Sequence, residues 1–130
     1  MNTPPDPGFR VGHGVDVHAF GAAEDPVHDG HVWLAGLRVP CDRPVLAHSD
    51  GDLLAHALCD ALLGAAALGD IGRHFPDDDP AWAGAPGETL VRACLAAVRE
   101  RGLGPVNVDV TLVAQQPRVA PYVEAMAERL

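Results

Sequence analysis

Residues 48–63 read HSDGDLLAHALCDALL, and this stretch decides the fold. Three polar residues between positions 49 and 52 offer side-chain oxygens that can cap a helix, and strong helix formers follow them. Leucines recur at helical spacing and give this helix one apolar face. The sequence therefore predicts a helix that begins at Leu53, is ended by the segment Gly69–Gly72 and packs one face into a core.

The opposite face of this helix is polar. Spacing by four places Asp52, His56 and Asp60 on it. The two aspartates, one turn on either side of the histidine, are either acceptors for a ring nitrogen of His56 or solvated helix charges. The spacing alone leaves both interpretations open.

Around this helix the sequence predicts three strands and two further helices. Alternating residues favour strands over Val11–Phe20, His31–Val39 and Val106–Ala114, and helical spacing favours Glu88–Arg101 and Tyr122–Leu130. The first two strands could pair as an antiparallel hairpin with a long connection. The order β-β-α-α-β-α predicts an α+β fold, a two-layer sandwich with a mixed β-sheet and helices on one face.

Composition limits the classes of protein and partner. The chain has 130 residues, a length that fits one domain. It has 9 basic and 18 acidic side chains, and the resulting net charge of −9 argues against nucleic acid as a partner. Cys41, Cys59 and Cys94 lie far apart, as expected for reduced, buried thiols in a cytoplasmic protein. No apolar run is long enough to span a membrane. We expect residues 1–10 to be a flexible tail and residues 11–130 to form a single domain.

A metal site is suggested by Asp16 and His18. They lie two residues apart in a predicted strand, so their side chains share one face, and His56 lies on the helix described above. One carboxylate and two imidazoles suit zinc with an open fourth position. The alternative is that these histidines are hydrogen-bonded or solvated without a metal.

Two loops could serve a substrate. His48 and Ser49 precede the helix, where backbone N–H groups could bind a phosphate, or Ser49 could cap the helix. Asp70 and the run of aspartates at 77–79 could hold substrate hydroxyls or a hard cation such as magnesium, or could be solvated charges.

Four segments resemble one known family. GHGVDVHAF at 12–20, LAHSDGD at 46–52, DALLGAAALGDIG at 60–72 and FPD at 75–77 are similar to the 2-C-methyl-D-erythritol 2,4-cyclodiphosphate synthases. The resemblance runs from Val11 to the end of the chain. It implies an intramolecular phosphoryl transfer in non-mevalonate isoprenoid biosynthesis. In this reaction 4-diphosphocytidyl-2-C-methyl-D-erythritol 2-phosphate becomes the 2,4-cyclodiphosphate with release of CMP.

The resemblance also implies roles for individual residues. It places zinc at Asp16, His18 and His56 and a transition-state stabiliser at His48. Substrate contacts are implied at Asp16, His18, His48, Ser49, Asp70, Ile71, Gly72, Phe75, Asp77 and Asp79. A cytidine pocket is implied at Ala114, Gln115, Gln116, Pro117, Arg118, Val119 and Ala120, largely through backbone groups.

The resemblance further implies a homotrimer with active sites between subunits and a second metal, usually magnesium. In the family the ligand of that second metal lies in a C-terminal segment beyond the match to this chain, so we expect the domain to be C-terminally incomplete. Two other functions remain open: a zinc-dependent hydrolase that uses a metal-bound water, and a non-catalytic trimeric binding subunit. Release of CMP from the cytidyl substrate would separate the synthase from both.

Overall fold

The computed structural model describes residues 8–130, and its architecture is α+β with a small antiparallel sheet and helices. The elements are β1 (His31–Leu34), β2 (Leu37–Pro40), α1 (Leu53–Ala65), α2 (Ile71–His74), α3 (Gly87–Glu100) and α4 (Val123–Arg129), with 3-10 turns at Pro80–Trp82 and Ala120–Tyr122. The first seven residues of the predicted tail lie outside the described residues. Within residues 8–130, no helix is both long and apolar enough to cross a membrane.

The helices α1 and α3 form the main core, as their apolar spacing predicts. The helix α1 begins at the predicted Leu53 and ends at Ala65, before the predicted stop at Gly69, and α3 lies one residue earlier than predicted. Their buried faces meet through Leu58, Leu62, Leu63, Leu90, Cys94 and Val98. The three cysteines are free and buried, which confirms their predicted role as small core residues.

The segment His31–Val39 forms a hairpin and not the single strand that alternation predicts. β1 and β2 are antiparallel, with Leu34 opposite Leu37. Ala35 and Gly36 connect them with φ angles of 51° and 71°. Two successive residues with positive φ make the tight turn that matches strand twist, and glycine adopts this conformation readily. Because alanine is not a residue typical of positive φ, Ala35 at the first turn position gives no sequence signal for a turn.

The other two predicted strands, Val11–Phe20 and Val106–Ala114, are not paired. Exposure does alternate along the first, with odd-numbered residues outward and even-numbered residues inward. In the described part of the chain, however, its β pairing is limited to an isolated bridge from Phe20 to Val45. Both segments line a cavity of about 210 Å³ over α1. The two predicted strands are therefore wrong, because a ladder needs a neighbouring backbone within hydrogen-bond reach. The predicted mixed sheet is wrong for the same reason: across residues 8–130 the sheet has two antiparallel strands.

The inward face of the first segment lies directly on α1. A Cβ atom added at Gly12 would lie 1.8 Å from the carbonyl oxygen of Ala61, and one at Gly14 would lie 1.9 Å from that of Ala57. Both distances are far below any real contact. The two glycines therefore allow the backbone of this segment to approach the helix so closely.

The carboxylate of Asp52 joins the hairpin to α1. The residue is fully buried. Its Oδ1 accepts hydrogen bonds from the N–H groups of Ala35 at 2.9 Å and Ala55 at 3.1 Å, and its Oδ2 accepts one from Gly36 at 2.7 Å. One side chain thus caps α1 and satisfies the donors of the hairpin turn. This burial excludes the interpretation of Asp52 as a solvated helix charge.

Asp50 makes the corresponding link to α3. Its carboxylate accepts hydrogen bonds from the N–H groups of Gly87 at 2.8 Å and Asp52 at 3.0 Å. Burial raises the pKa of Asp50 above its ordinary value, although these two hydrogen bonds oppose the rise. Residues 49–52 therefore connect the starts of two helices and the hairpin turn.

We expect Asp52→Ala to lower the free energy of unfolding by about 3 kcal/mol, because it leaves buried backbone donors without an acceptor and removes the helix cap. Urea denaturation measures this loss. The matched control is Asp78→Ala, since Asp78 is exposed and should change stability by less than about 0.5 kcal/mol. Equal effects of the two substitutions would contradict the role of Asp52.

We expect Gly14→Ala to lower the free energy of unfolding by about 1–3 kcal/mol, because the added methyl group meets the backbone of α1. The control is Gly64→Ala, at an exposed position in the last turn of α1, where an added Cβ meets nothing within 4 Å. That change should stabilise the protein by about 0.5–1 kcal/mol, since alanine favours a helix over glycine. Urea unfolding of both variants tests this, and a neutral Gly14→Ala would refute the close approach.

Candidate metal centre

The three predicted ligands meet at one point over α1. Asp16 Oδ2 lies 2.9 Å from His18 Nδ1 and 3.0 Å from His56 Nδ1. The ligand atoms of the three residues all lie within 4.8 Å of one another. Of the described residues, only these form such a group of three or more histidine, cysteine or acidic side chains.

Two distant parts of the chain build this group. His56 is the fourth residue of α1, whereas Asp16 and His18 lie on the inward face of the segment that packs on that helix. The two imidazole rings have centroids 5.2 Å apart and are tilted by 41°. The close approach at Gly12 and Gly14 brings the segment near enough for its side chains to reach His56.

Electrostatics couple Asp16 to His56. Burial alone would raise the pKa of Asp16, but the hydrogen bond from His56 and the charges of both histidines outweigh it and lower this pKa. Burial alone would lower the pKa of His56, but the hydrogen bond to Asp16 and its charge raise it. The carboxylate is therefore held in its anionic form, which is the form that binds a metal ion.

This donor set fits a divalent metal ion. A tetrahedral zinc with bonds of about 2.0–2.1 Å places its ligand atoms about 3.3 Å apart, close to the 2.9 Å and 3.0 Å that separate Asp16 Oδ2 from the two histidine nitrogens. His18 Nδ1 is buried and has no hydrogen-bond partner, because its contact with Asp16 lacks hydrogen-bond geometry. An ion between the three side chains would satisfy this nitrogen. Asp16, His18 and His56 could therefore hold a metal.

The second ring nitrogen of His56 contacts Ser49. The distance from His56 Nε2 to Ser49 Oγ is 2.9 Å. Of the two interpretations left open for Asp52 and Asp60, the one that makes them acceptors for His56 is not the one found. Asp52 bonds the hairpin turn, and Asp60 accepts a hydrogen bond from the N–H of Ile71 at 2.8 Å. Helical spacing cannot reveal a partner that lies in the loop before the helix.

The predicted anion site at the start of α1 is largely filled by the protein itself. The N–H groups of Gly51, Asp52 and Ala55 bond to side-chain oxygens of residues 49, 50 and 52. A phosphate near this loop would therefore meet the side chains of His48 and Ser49 in place of these donors. His48 is exposed, and its carbonyl oxygen accepts a hydrogen bond from Gly84.

The second predicted substrate loop lies beyond the C-terminal end of α1. Asp70 caps α2 and Asp79 caps the following 3-10 turn, while Asp77 and Asp78 are exposed. Phe75 is buried with its ring 4.8 Å from that of Trp82. Asp60 lies one helical turn after His56 on α1, and its hydrogen bond from the N–H of Ile71 holds the start of this loop against the helix. In this loop, Gly72 is exposed.

The segment predicted to contact cytidine, residues 114–120, lies before α4. Val119 packs against the core that contains the hairpin, and Gln116 and Pro117 are half-buried. Ala114, Gln115, Arg118 and Ala120 are exposed. Across residues 8–130, no hydrogen bond or ion pair joins this segment to the metal centre. The structure thus brings together the three ligands and Ser49, but not the cytidine segment.

Known proteins share this sequence and fold. The sequence profile of the YgbB family matches residues 9–130. The 2-C-methyl-D-erythritol 2,4-cyclodiphosphate synthase of Thioalkalivibrio sulfidiphilus is 56% identical over 122 residues, which cover 94% of this chain and 72% of that protein. The chain thus spans about three quarters of that relative's length.

Solved structures agree with this match. The bifunctional IspDF of Campylobacter jejuni superposes with a TM-score of 0.83 and 39% identity, covering 96% of this chain and 33% of that one. A 2-C-methyl-D-erythritol 2,4-cyclodiphosphate synthase in a CDP-bound form superposes with a TM-score of 0.73 and 35% identity, covering 92% of this chain and 76% of that one. This protein therefore belongs to the YgbB family, which it shares with the 2-C-methyl-D-erythritol 2,4-cyclodiphosphate synthases.

Proposed function

We propose that the metal centre over α1, together with the loops at 48–49 and 70–79, is where this protein closes a cyclic diphosphate. The activity of the chain is that of its family relatives, 2-C-methyl-D-erythritol 2,4-cyclodiphosphate synthesis, a lyase reaction of isoprenoid biosynthesis. The observation that carries the assignment to this site is the convergence of three ligand atoms within 4.8 Å.

The reaction needs positioning more than a protein nucleophile. The 2-phosphate of 4-diphosphocytidyl-2-C-methyl-D-erythritol 2-phosphate attacks the β-phosphorus, the bond from that phosphorus to the CMP oxygen breaks, and CMP leaves. Because attacker and target belong to one molecule, orientation and charge neutralisation supply most of the rate enhancement. The solved synthase with CDP bound supports a cytidine nucleotide as the ligand of this chain.

Zinc is the metal that we assign to Asp16, His18 and His56. One carboxylate and two imidazoles leave a fourth coordination position open, as in catalytic zinc sites. When bound, the ion supplies positive charge for phosphate oxygens. This charge matters because the chain itself carries a net charge of −9 and would otherwise repel its substrate. A second divalent ion, magnesium, is proposed at the diphosphate.

The remaining substrate contacts follow the family resemblance. His48 stabilises the transition state, and Ser49 donates its hydroxyl to the substrate phosphate beside the metal centre. The erythritol part lies against Asp70, Ile71, Gly72, Phe75, Asp77 and Asp79. The link from Asp60 to Ile71 supports this placement, because it ties the second loop to the helix that carries His56. Residues 114–120 contact the cytidine.

The two alternative functions have less support. A zinc-dependent hydrolase would need a general base beside the metal. Asp50 and Asp52, which precede His56 in the sequence, are both engaged by backbone N–H groups. A non-catalytic binding subunit would have no need for an open metal site. The relatives that match the chain are synthases and favour neither alternative.

We propose that three copies of the chain assemble and share their active sites. Seven valines on the two unpaired segments are exposed, and exposed apolar side chains in such number favour burial against another copy of the chain. They are Val11, Val15, Val17, Val106, Val108, Val110 and Val113.

The compartment that we propose for this protein is the cytoplasm. Its three cysteines are free and buried, and cysteine thiols stay reduced in the cytoplasm.

We expect His18→Ala to lose bound zinc and to release CMP at least about 100-fold more slowly, because two remaining ligands hold the ion poorly. Metal analysis of the dialysed protein and chromatographic measurement of CMP check both effects. The control is His31→Ala at the start of β1, whose ring contacts Asp29 and Arg38 away from the metal centre, and which should retain zinc and activity. A His18→Ala protein with one zinc per chain would overturn the assignment of the metal centre.

We expect the protein to be a trimer at micromolar concentration, because the exposed valines need cover and the cytidine segment makes no bond to the metal centre of its own subunit. Multi-angle light scattering measures the mass in solution. A monomer that still releases CMP would refute the shared active site.

A further inference from the structure

We infer that Ser49 is a positioning residue for the metal centre: its hydroxyl fixes the orientation and tautomer of His56, so that Nδ1 faces the metal ion. This inference rests on the metal centre proposed above. It concerns a contact within the protein, and is therefore distinct from the contact between Ser49 and the substrate phosphate.

The two ring nitrogens of His56 have different partners. Nδ1 lies 3.0 Å from Asp16 Oδ2, on the side where the three ligand atoms converge, and Nε2 lies 2.9 Å from Ser49 Oγ. A neutral imidazole carries one proton, so a nitrogen that binds a metal requires the proton on the other. His56 Nε2–H therefore donates to Ser49 Oγ when Nδ1 is the ligand.

Ser49 can fill this role and still contact an anion. A hydroxyl has two acceptor lone pairs and one donor. Its oxygen accepts from His56 Nε2–H and, at 3.3 Å, from the N–H of Gly51. Its own O–H is left to donate outward. The Ser49 hydroxyl can thus accept a hydrogen bond from His56 and donate one to a phosphate oxygen at the same time.

The loop that carries Ser49 is held firmly enough to position a ring. The N–H of Asp50 donates to the carbonyl oxygen of Ala85 at 3.2 Å, and the Asp50 carboxylate binds the N–H of Gly87. On the other side of Ser49, the N–H of Gly84 donates to the carbonyl oxygen of His48 at 2.9 Å. Ser49 is therefore anchored through both neighbours to the segment that leads into α3.

The test is the zinc affinity of the full chain without substrate, measured by competition with a chelating dye. Because no phosphate is present, a loss cannot come from the contact between Ser49 and the substrate. We expect Ser49→Ala to weaken zinc binding by about 10–100-fold, the usual effect of removing a hydrogen bond behind a metal-binding histidine. Ser49→Thr keeps a hydroxyl and should restore most of the affinity.

The matched control is His48→Ala, in the neighbouring exposed side chain, which should leave zinc affinity at the wild-type value. A second readout is the nitrogen NMR spectrum of the zinc-loaded, histidine-labelled protein. The His56 Nε2–H proton should be protected from exchange in wild type and exchange quickly in Ser49→Ala.

The outcomes separate the two claims. Wild-type zinc affinity in Ser49→Ala, or binding of the metal through His56 Nε2, would overturn the role of Ser49 and leave the metal centre standing. A wild-type chain that binds no zinc would overturn both. A loss in Ser49→Ala that Ser49→Thr restores supports the inference, whereas an equal loss in both variants contradicts it.

Discussion

The buried carboxylate of Asp52 is the interaction on which the rest of this structure depends. It satisfies the first turn of α1 and both donors of the hairpin turn, so the helix and the hairpin cannot separate without exposing or orphaning backbone N–H groups. Asp50 extends the connection to α3. The two residues that flank this connection, Ser49 and His56, touch each other at the metal centre. The same loop therefore organises the fold and the site.

The second constraint is the close approach of the N-terminal segment to α1. The site joins residues 40 positions apart in the sequence, and their contact depends on the absence of side chains at positions 12 and 14. On one helix face only residues three or four positions apart are neighbours, so a helix brings few ligands to a single point. The inward-facing Asp16 and His18 supply the other two. The metal centre is thus a product of tertiary packing and not of one local motif.

Sequence reasoning predicted what local periodicity determines. The helices α1 and α3 and the buried cysteines were found, and Asp16, His18 and His56 were identified from strand alternation, helix spacing and family resemblance. Local periodicity does not reveal which distant segment a strand pairs with, or which side chain a residue contacts. Alternating valines indicate an extended chain but not its neighbour, so the strands at 11–20 and 106–114 were overpredicted. Ser49 was missed as the partner of His56, because its contact depends on how the loop turns back on the helix.

Zinc X-ray absorption spectroscopy of the metal-loaded protein tests the central claim most directly, because it counts the atoms around the ion. The account predicts two imidazole nitrogens and one carboxylate oxygen at about 2.0–2.1 Å, with no sulfur. Sulfur at about 2.3 Å, or fewer than two imidazoles, would contradict a centre built from Asp16, His18 and His56.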